Sequence, residues 1–416
     1  MPSKPFAAPL HDSTLGALTR GYAWLPDRMR SAADGSVYRT RLLGKPAVAV
    51  RGPEAVLFFY DEEHVVRKEA LPGPVLDTLF GRGAVHTLDG NAHRARKALF
   101  MALLKDDESV TQLGFLVRRH WRDAVREASR AGESVVLFDT VAEVLALAVR
   151  DWAGLPLPDE ETARLARDCT AMVDGFAAPG LRHLRARRAR TRQENAMGAL
   201  VRAARERPAD GAGPTPLEAV ALHRDLDGEL LDTHTAAVEV LNVVRPTVAI
   251  AWFAAFAAHA LDRWPHHRKL LRADPSGAHA VAFAHEVRRF YPFAPFVAGL
   301  AARDLRWRGE RIEKGTMLLL DLYGQNHDPD LWHHPYHFAP QRFSRAPRLP
   351  DGLVPQGGGD PAHGHRCPGE DVTVTVLSAL VSELAALDYS VPAQDLTIPL
   401  SRVPTLPRSG FVLDLT

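Results

Sequence analysis

"QGGGDPAHGHRCPGE", Gln356 to Glu370, holds one of only two cysteines in this chain. Three glycines precede Cys367 and Pro-Gly follows it, so the backbone there can take shapes that other residues resist. Residues 369–387 then read as a helix, which places the cysteine just ahead of a helix start. Free N–H groups and partial positive charge at such an end favour a thiolate. Taken alone the thiol admits three roles: nucleophile, metal ligand or inert buried group. A zinc site from His363, His365 and Cys367, joined by His333, His334 or His337 of "LWHHPYHF", would need a ligand from elsewhere, because no second Cys-x-x-Cys exists. The three histidines of that second stretch read as surface loop residues.

The rest of the chain narrows the roles. Lys+Arg count 51 against 50 Asp+Glu, which gives no electrostatic reason to expect nucleic acid. At 46% hydrophobic, the 416 residues can bury a large core. There is no internal repeat and no domain linker; "RERPADGAGPTP" near 205–216 is too short to divide the chain, so one domain over 1–416 is expected. The N-terminus lacks the pattern of a signal peptide. The longest apolar run, around Pro246–Leu261, is too short for a membrane span. Two cysteines are no disulfide framework, and a reducing, cytoplasmic setting is expected.

Helical periodicity covers roughly 90–130, 136–152, 160–175, 180–207, 231–262, 264–273 and 276–291. Short strand patterns appear at 38–50, 296–303, 311–321 and near the C-terminus. "EVRR" sets Glu286 and Arg289 one helical turn apart. "FAPQRF" follows at Phe338–Phe343, and the cysteine loop comes about two dozen residues later. This ordered set resembles the cytochrome P450 superfamily of haem-thiolate enzymes, over nearly the whole chain. The resemblance implies a mainly α fold with small β-sheets, and haem b held between a long central helix and the C-terminal cysteine loop. Cys367 would ligate the iron as thiolate. Glu286, Arg289 and Arg342 would form a buried ion network holding the cysteine loop. In "HRARK", His93 and Lys97 would meet the haem propionates, as would His365.

Two departures from the common pattern matter. Asp360 and His365 stand where Phe and Arg are usual. More important, the central helix usually carries an acid–alcohol pair that relays protons to dioxygen. Here "VEVLNVVRPTVAIAWF" has Arg245 and Pro246 at that place. Between Glu239 and His259, Arg245 is the only formally charged residue. Pro246 removes a helical hydrogen bond, costing on the order of 3 kcal/mol if uncompensated. Arginine keeps its proton, and an unpaired buried charge costs several kcal/mol. Arg245 therefore requires a carboxylate, from the protein or from a ligand, and its planar fork suits one.

With "TLFGRGAVHTLDG" (78–90) and "EVRRFYPFAPF" (286–296), this combination resembles the bacterial fatty-acid peroxygenases. That implies hydrogen peroxide as oxidant, a long-chain fatty acid as substrate and no obligatory reductase. Arg245 and Pro246, with His86, are the expected catalytic residues. The substrate's own carboxylate on Arg245 would replace the missing acid. Leu79, Phe80, Phe293 and Val297 are the expected walls for the chain, with Val85, Phe176 and Phe296 as further candidates. His86 occupies the position associated with alkene-forming members, and its imidazole is expected to exchange a proton in the physiological range. The expected products are α- or β-hydroxy acids, mainly β, and terminal alkenes. The basic run "RHLRARRARTR" (182–192) is expected to be a solvated helix face, and Cys169 a buried thiol. A monooxygenase driven by redox partners, and a non-catalytic haem or fatty-acid binder, remain as rival readings.

Overall fold

The structure is a computed structural model that describes residues 11–31, 37–207, 214–344 and 349–415. Part of the 205–216 stretch lies outside the described residues. Nine helices carry the argument: α1 (Gly90–Leu104), α2 (Asp107–Ala131), α3 (Leu137–Ala153), α4 (Asp159–Gly175), α5 (Leu181–Glu206), α6 (Thr233–Val248), α7 (Ile250–Arg263), α8 (Ala278–Phe290) and α9 (Glu370–Ala386). The single periodic stretch at 90–130 is two helices. Asp106 divides them because its carboxylate caps the N–H of Ser109 and starts α2.

The central helix is α6 running into α7. Its two halves meet at Ala249, three residues after Pro246. Proline cannot donate to the carbonyl four residues back, and at the junction Ala249 N–H donates to the Arg245 carbonyl at 2.9 Å. Thr247 Oγ1 donates to the Val243 carbonyl at 2.9 Å beside the gap. Thr233–Arg263 is long and apolar enough to cross a bilayer, yet its most apolar window is 94% buried within the protein. It is the axis of the core, packed among Val144, Leu145, Val149, Met197, Phe283, Leu377 and Leu380.

One five-stranded sheet lies beside this helical body. Its strands are β1 (Val37–Leu42), β2 (Lys45–Val50), β3 (Val65–Val66), β4 (Phe296–Ala301) and β5 (Met317–Asp321), in the order β1-β2-β5-β4-β3. β2 and β5 run parallel, with Val48 opposite Leu318; the other pairs are antiparallel. The side-chain period of two splits the strands cleanly. Val48, Val50, Leu318 and Leu320 enter one cluster, and Ala47, Ala49, Met317 and Leu319 the other. β4 carries the chain from the end of α8 into this sheet. That path brings the Glu286–Arg289 turn next to the segment leading to the cysteine loop.

Candidate active site

Glu286 and Arg289 are fully buried and joined by two bonds of 2.8 Å. Arg342 completes the expected network, its Nε 3.1 Å from Glu286. The network grips the segment before the cysteine rather than the loop itself. Arg289 donates to the carbonyls of Asn326 and Pro335, and Glu286 accepts from Ala339 N–H. The loop is held by Arg288, which the motif passes over. Arg288 Nε donates to Gln356 Oε1 at 3.0 Å, and its Nη2 pairs with Glu370. Gln356 Nε2 then points at the sulfur of Cys367, 3.7 Å away, and donates to Thr373 Oγ1 at 3.0 Å.

The glycines before Cys367 have a steric cause. Tyr60 lies along all three, its hydroxyl 2.4 Å from where a Cβ on Gly357 would stand. Gly357 also has φ of +94°. Burial raises the Cys367 thiol above its ordinary range, against the Gly369 N–H and Lys97 that lower it. The helix start alone therefore does not ionise it. A bound metal cation would, since a coordinating thiol is deprotonated outright. The zinc arrangement fails on geometry: His363 is exposed on Asp360, while His365 stacks on His93 at 3.9 Å.

Around that stack the structure gathers positive charge. Lys97 is buried and donates to the Arg366 carbonyl at 2.6 Å; burial pushes its pKa down to about 8. Arg67, absent from every sequence motif, is buried over the Phe59 ring. Among the described residues neither cation has a carboxylate within 4 Å. His93 Nδ1 and His365 Nε2 are buried without hydrogen-bond partners. Glu62, His93 and His365 come within 4.8 Å of one another, a spacing a metal ion would accept, but Arg67 and Lys97, both acting on the two histidines, ask for anions instead. Haem, with two carboxylates and an iron that takes a thiolate, fits this set of donors.

On the opposite side stands α6. Arg245 is 6% exposed. Burial, then Arg190, pushes its pKa down to about 9, which measures the cost of charge in this place. Its one hydrogen-bond acceptor is Asn242 Oδ1 at a long 3.4 Å, and its Nε is unpartnered. No carboxylate lies within 4 Å of it among the described residues, so of the two sources the sequence left open the protein itself does not supply one. Next to it Pro246 is exposed while Arg245 and Thr247 are buried. Phe80 lies 5.9 Å from the guanidinium and 4.4 Å from the His86 ring.

His86 lies half-buried beside this cation. Burial first, and Arg245 second, push its pKa well below the ordinary 6.5, so its surroundings disfavour the charged imidazole. Its Nδ1 is without a partner.

Glu239 was legible only as the edge of an apolar run. It is fully buried, one and a half turns before Arg245. Oε1 accepts from Val85 N–H at 2.7 Å and Arg96 Nη1 at 2.9 Å, and Oε2 from Asn242 at 2.9 Å. One carboxylate thus ties together the turn carrying His86, the helix carrying His93 and Lys97, and the partner of Arg245. The wall candidates divide. Phe80 and Leu79 sit on the turn above Arg245. Phe293 stacks on Phe253 of α7 at 4.3 Å. Val297 packs on the sheet cluster with Val48 and Val50, and Phe296 turns to Trp24 on the other face. Among the described residues no ring or polar contact joins Phe293 or Val297 to Arg245.

A family model for Cytochrome P450 matches residues 280–383. Cytochrome P450SP alpha, solved in complex with (R)-ibuprophen, superposes with a TM-score of 0.92 at 39% identity, covering 97% of this chain and 98% of that one. Cytochrome P450EX alpha with myristic acid gives 0.91 at 37%, covering 97% and 96%. A variant of cytochrome P450 OleT in complex with arachidonic acid gives 0.91 at 34%, covering 97% and 96%. Among curated relatives, cytochrome P450 137 of Mycobacterium tuberculosis is 28% identical over 211 residues, 47% of this chain. The chain spans 42% of the length of that relative.

Proposed function

The chain belongs to the cytochrome P450 family, in the branch that holds P450SP alpha, P450EX alpha and OleT, and from that premise we propose that it oxidises long-chain fatty acids with hydrogen peroxide. The observation that carries the reading is Arg245, a buried cation with no carboxylate partner among the described residues and an unpartnered Nε. The neighbours solved with myristic and arachidonic acid support a ligand that ends in a carboxylate.

Haem b would be held through Cys367 and would supply the oxidising metal centre. Arg67, Lys97, His93 and His365 would hold its carboxylates. Arg245 binds the fatty carboxylate with its planar fork, and this fixes where Cα and Cβ stand. The bound carboxylate occupies the place of the missing acid–alcohol pair, so it can carry the proton that peroxide must lose and regain. Pro246 has no N–H, so the Asn242 carbonyl four residues back is left without its helical donor beside Arg245. Phe80 and His86 close the apolar side. Hydroxylation consumes one peroxide and releases one water. Decarboxylation consumes one peroxide and releases carbon dioxide, two waters and an alkene one carbon shorter.

The test is incubation of the purified, haem-loaded protein with a long-chain fatty acid and peroxide, followed by product analysis. We expect hydroxy acids, mainly β, with terminal alkene, and little product from the methyl ester. Equal rates for acid and ester would dismiss the carboxylate's role. Turnover only with an electron-donating partner would favour the monooxygenase reading.

A further inference from the structure

Arg190 belongs to the basic run that charge pattern assigns to a solvated face, and the structure corrects that assignment. Arg185, Arg187 and Arg188 are exposed. Arg190 is 2% exposed and lies on the buried stripe of α5 with Ala186, Ala189, Gln193 and Met197. A guanidinium taken into the core needs acceptors on every edge. Its Nε donates to Glu194 at 2.6 Å. Its other two nitrogens donate to main-chain carbonyls, Nη1 to Leu79 at 2.9 Å and Nη2 to Phe80 at 3.1 Å. The rigid fork of arginine suits two adjacent acceptors, and lysine cannot reproduce it.

Those carbonyls end a π-helical turn, Leu76–Phe80, closed by Gly81 N–H on the Leu76 carbonyl at 2.9 Å. Such turns are rare and concentrate at functional sites. Helix-end carbonyls lack donors of their own, and here Arg190 supplies them from another helix. The contact is tight. Gly81 has φ of +86°, and a Cβ there would stand 2.1 Å from Arg190 Nη2 and 2.7 Å from Val238. On its inner side the same turn presents Phe80 to His86 and Arg245.

We propose that Arg190 is a positioning residue for regiospecificity. It fixes the Leu79–Phe80 wall at one depth above Arg245 and so selects which carbon of the anchored chain is presented for oxidation. Glu194 holds the third edge of the fork and keeps it aimed. For its substrate the proposal rests on the fatty-acid reading.

The test uses the haem-loaded enzyme as wild type, Arg190→Lys, Arg190→Met and Glu194→Gln. Hydrogen exchange of segment 76–83 is read without turnover. It should quicken about tenfold in Arg190→Met and less in Arg190→Lys. Unchanged exchange there would overturn the clamp. The ratio of α-hydroxy acid, β-hydroxy acid and alkene should shift roughly threefold or more while haem content and the carbonyl spectrum persist. A wild-type ratio in a variant with loosened exchange would overturn the role in regiospecificity. If Arg190→Met fails to take up haem, Arg190→Lys and Glu194→Gln decide in the same way. Should wild type itself yield no fatty-acid product, the function reading falls by itself, and the exchange data still decide the clamp.

Discussion

At the scale of single residues the chemistry depends on groups left incomplete. Arg245 is the clearest. Replacing it with leucine removes the anchor and the site for the proton-carrying carboxylate together. One-sided loss of a buried charge pair costs about 3–5 kcal/mol, and each 1.36 kcal/mol is about tenfold in rate. Arg245→Leu should therefore lower fatty-acid turnover by two to four orders of magnitude, measured as product per haem, while the carbonyl complex keeps its thiolate spectrum. Cys367→Ala should do the reverse and lose that spectrum. Arg245 was legible in the sequence because a lone charge in an apolar helix has no ordinary explanation. Arg67 was not, because a single arginine in a loop carries no pattern until the fold sets it beside Lys97. His86 was legible as a position but not in the direction of its pKa shift, which burial sets first and Arg245 and Lys97 add to. His86→Gln should lower the alkene share relative to hydroxy acid with haem content unchanged. An unchanged ratio would assign the branch to substrate depth alone.

Among elements, α6 and the turn before α1 are coupled through Glu239. Its two oxygens serve three donors on three segments, so its neighbours cannot move independently. Glu239→Gln keeps an oxygen for Val85 N–H and Arg96, leaves Asp225 as the one carboxylate paired with Arg96, and turns an amide nitrogen toward Asn242 Nδ2. Asn242 must then flip, and it offers Arg245 a donor in place of an acceptor. The expected result is a lower melting temperature and a KM for fatty acid raised more than kcat is lowered. A variant with normal melting and normal KM would show that the three contacts act separately. Helical periodicity revealed α3 to α5, α8 and α9 almost to their ends and read α6 and α7 as one stretch, since each buries a stripe. It missed the break at Asp106, where a cap interrupts an unbroken amphipathic pattern. It missed the π-turn at Leu76–Phe80, whose last two carbonyls accept from Arg190, more than a hundred residues away. The parallel pairing of β2 with β5 joins segments about 270 residues apart, and local pattern carries no information about such pairing.

For the whole molecule, three short motifs in order declared the fold, while the balance of buried titratable groups emerged only from the packed structure. Burial pushes His259, His267, His285 and His327 each down to about 4. Asp321 is the counterweight: burial pushes it up to about 7, although its Oδ1 caps Gly324 N–H at 2.8 Å. A histidine with a lowered folded pKa stabilises above its unfolded value near 6.5 and loses that contribution as pH falls toward 4. A carboxyl with a raised folded pKa does the opposite, favouring the fold below about 4 and losing that contribution as pH rises through 7. Four histidines outweigh one aspartate, so the melting temperature should fall steeply from about pH 6.5 to 4. Asp321→Asn separates the two effects. It keeps the capping oxygen and removes the charge that must otherwise form in a buried place. The variant should melt above wild type at pH 8, where Asp321 is ionised. The two should converge near pH 4, where wild type already holds the proton. Equal melting at both pH values would mean that Arg51, whose Nη1 lies 3.7 Å from Oδ2, already compensates the buried charge.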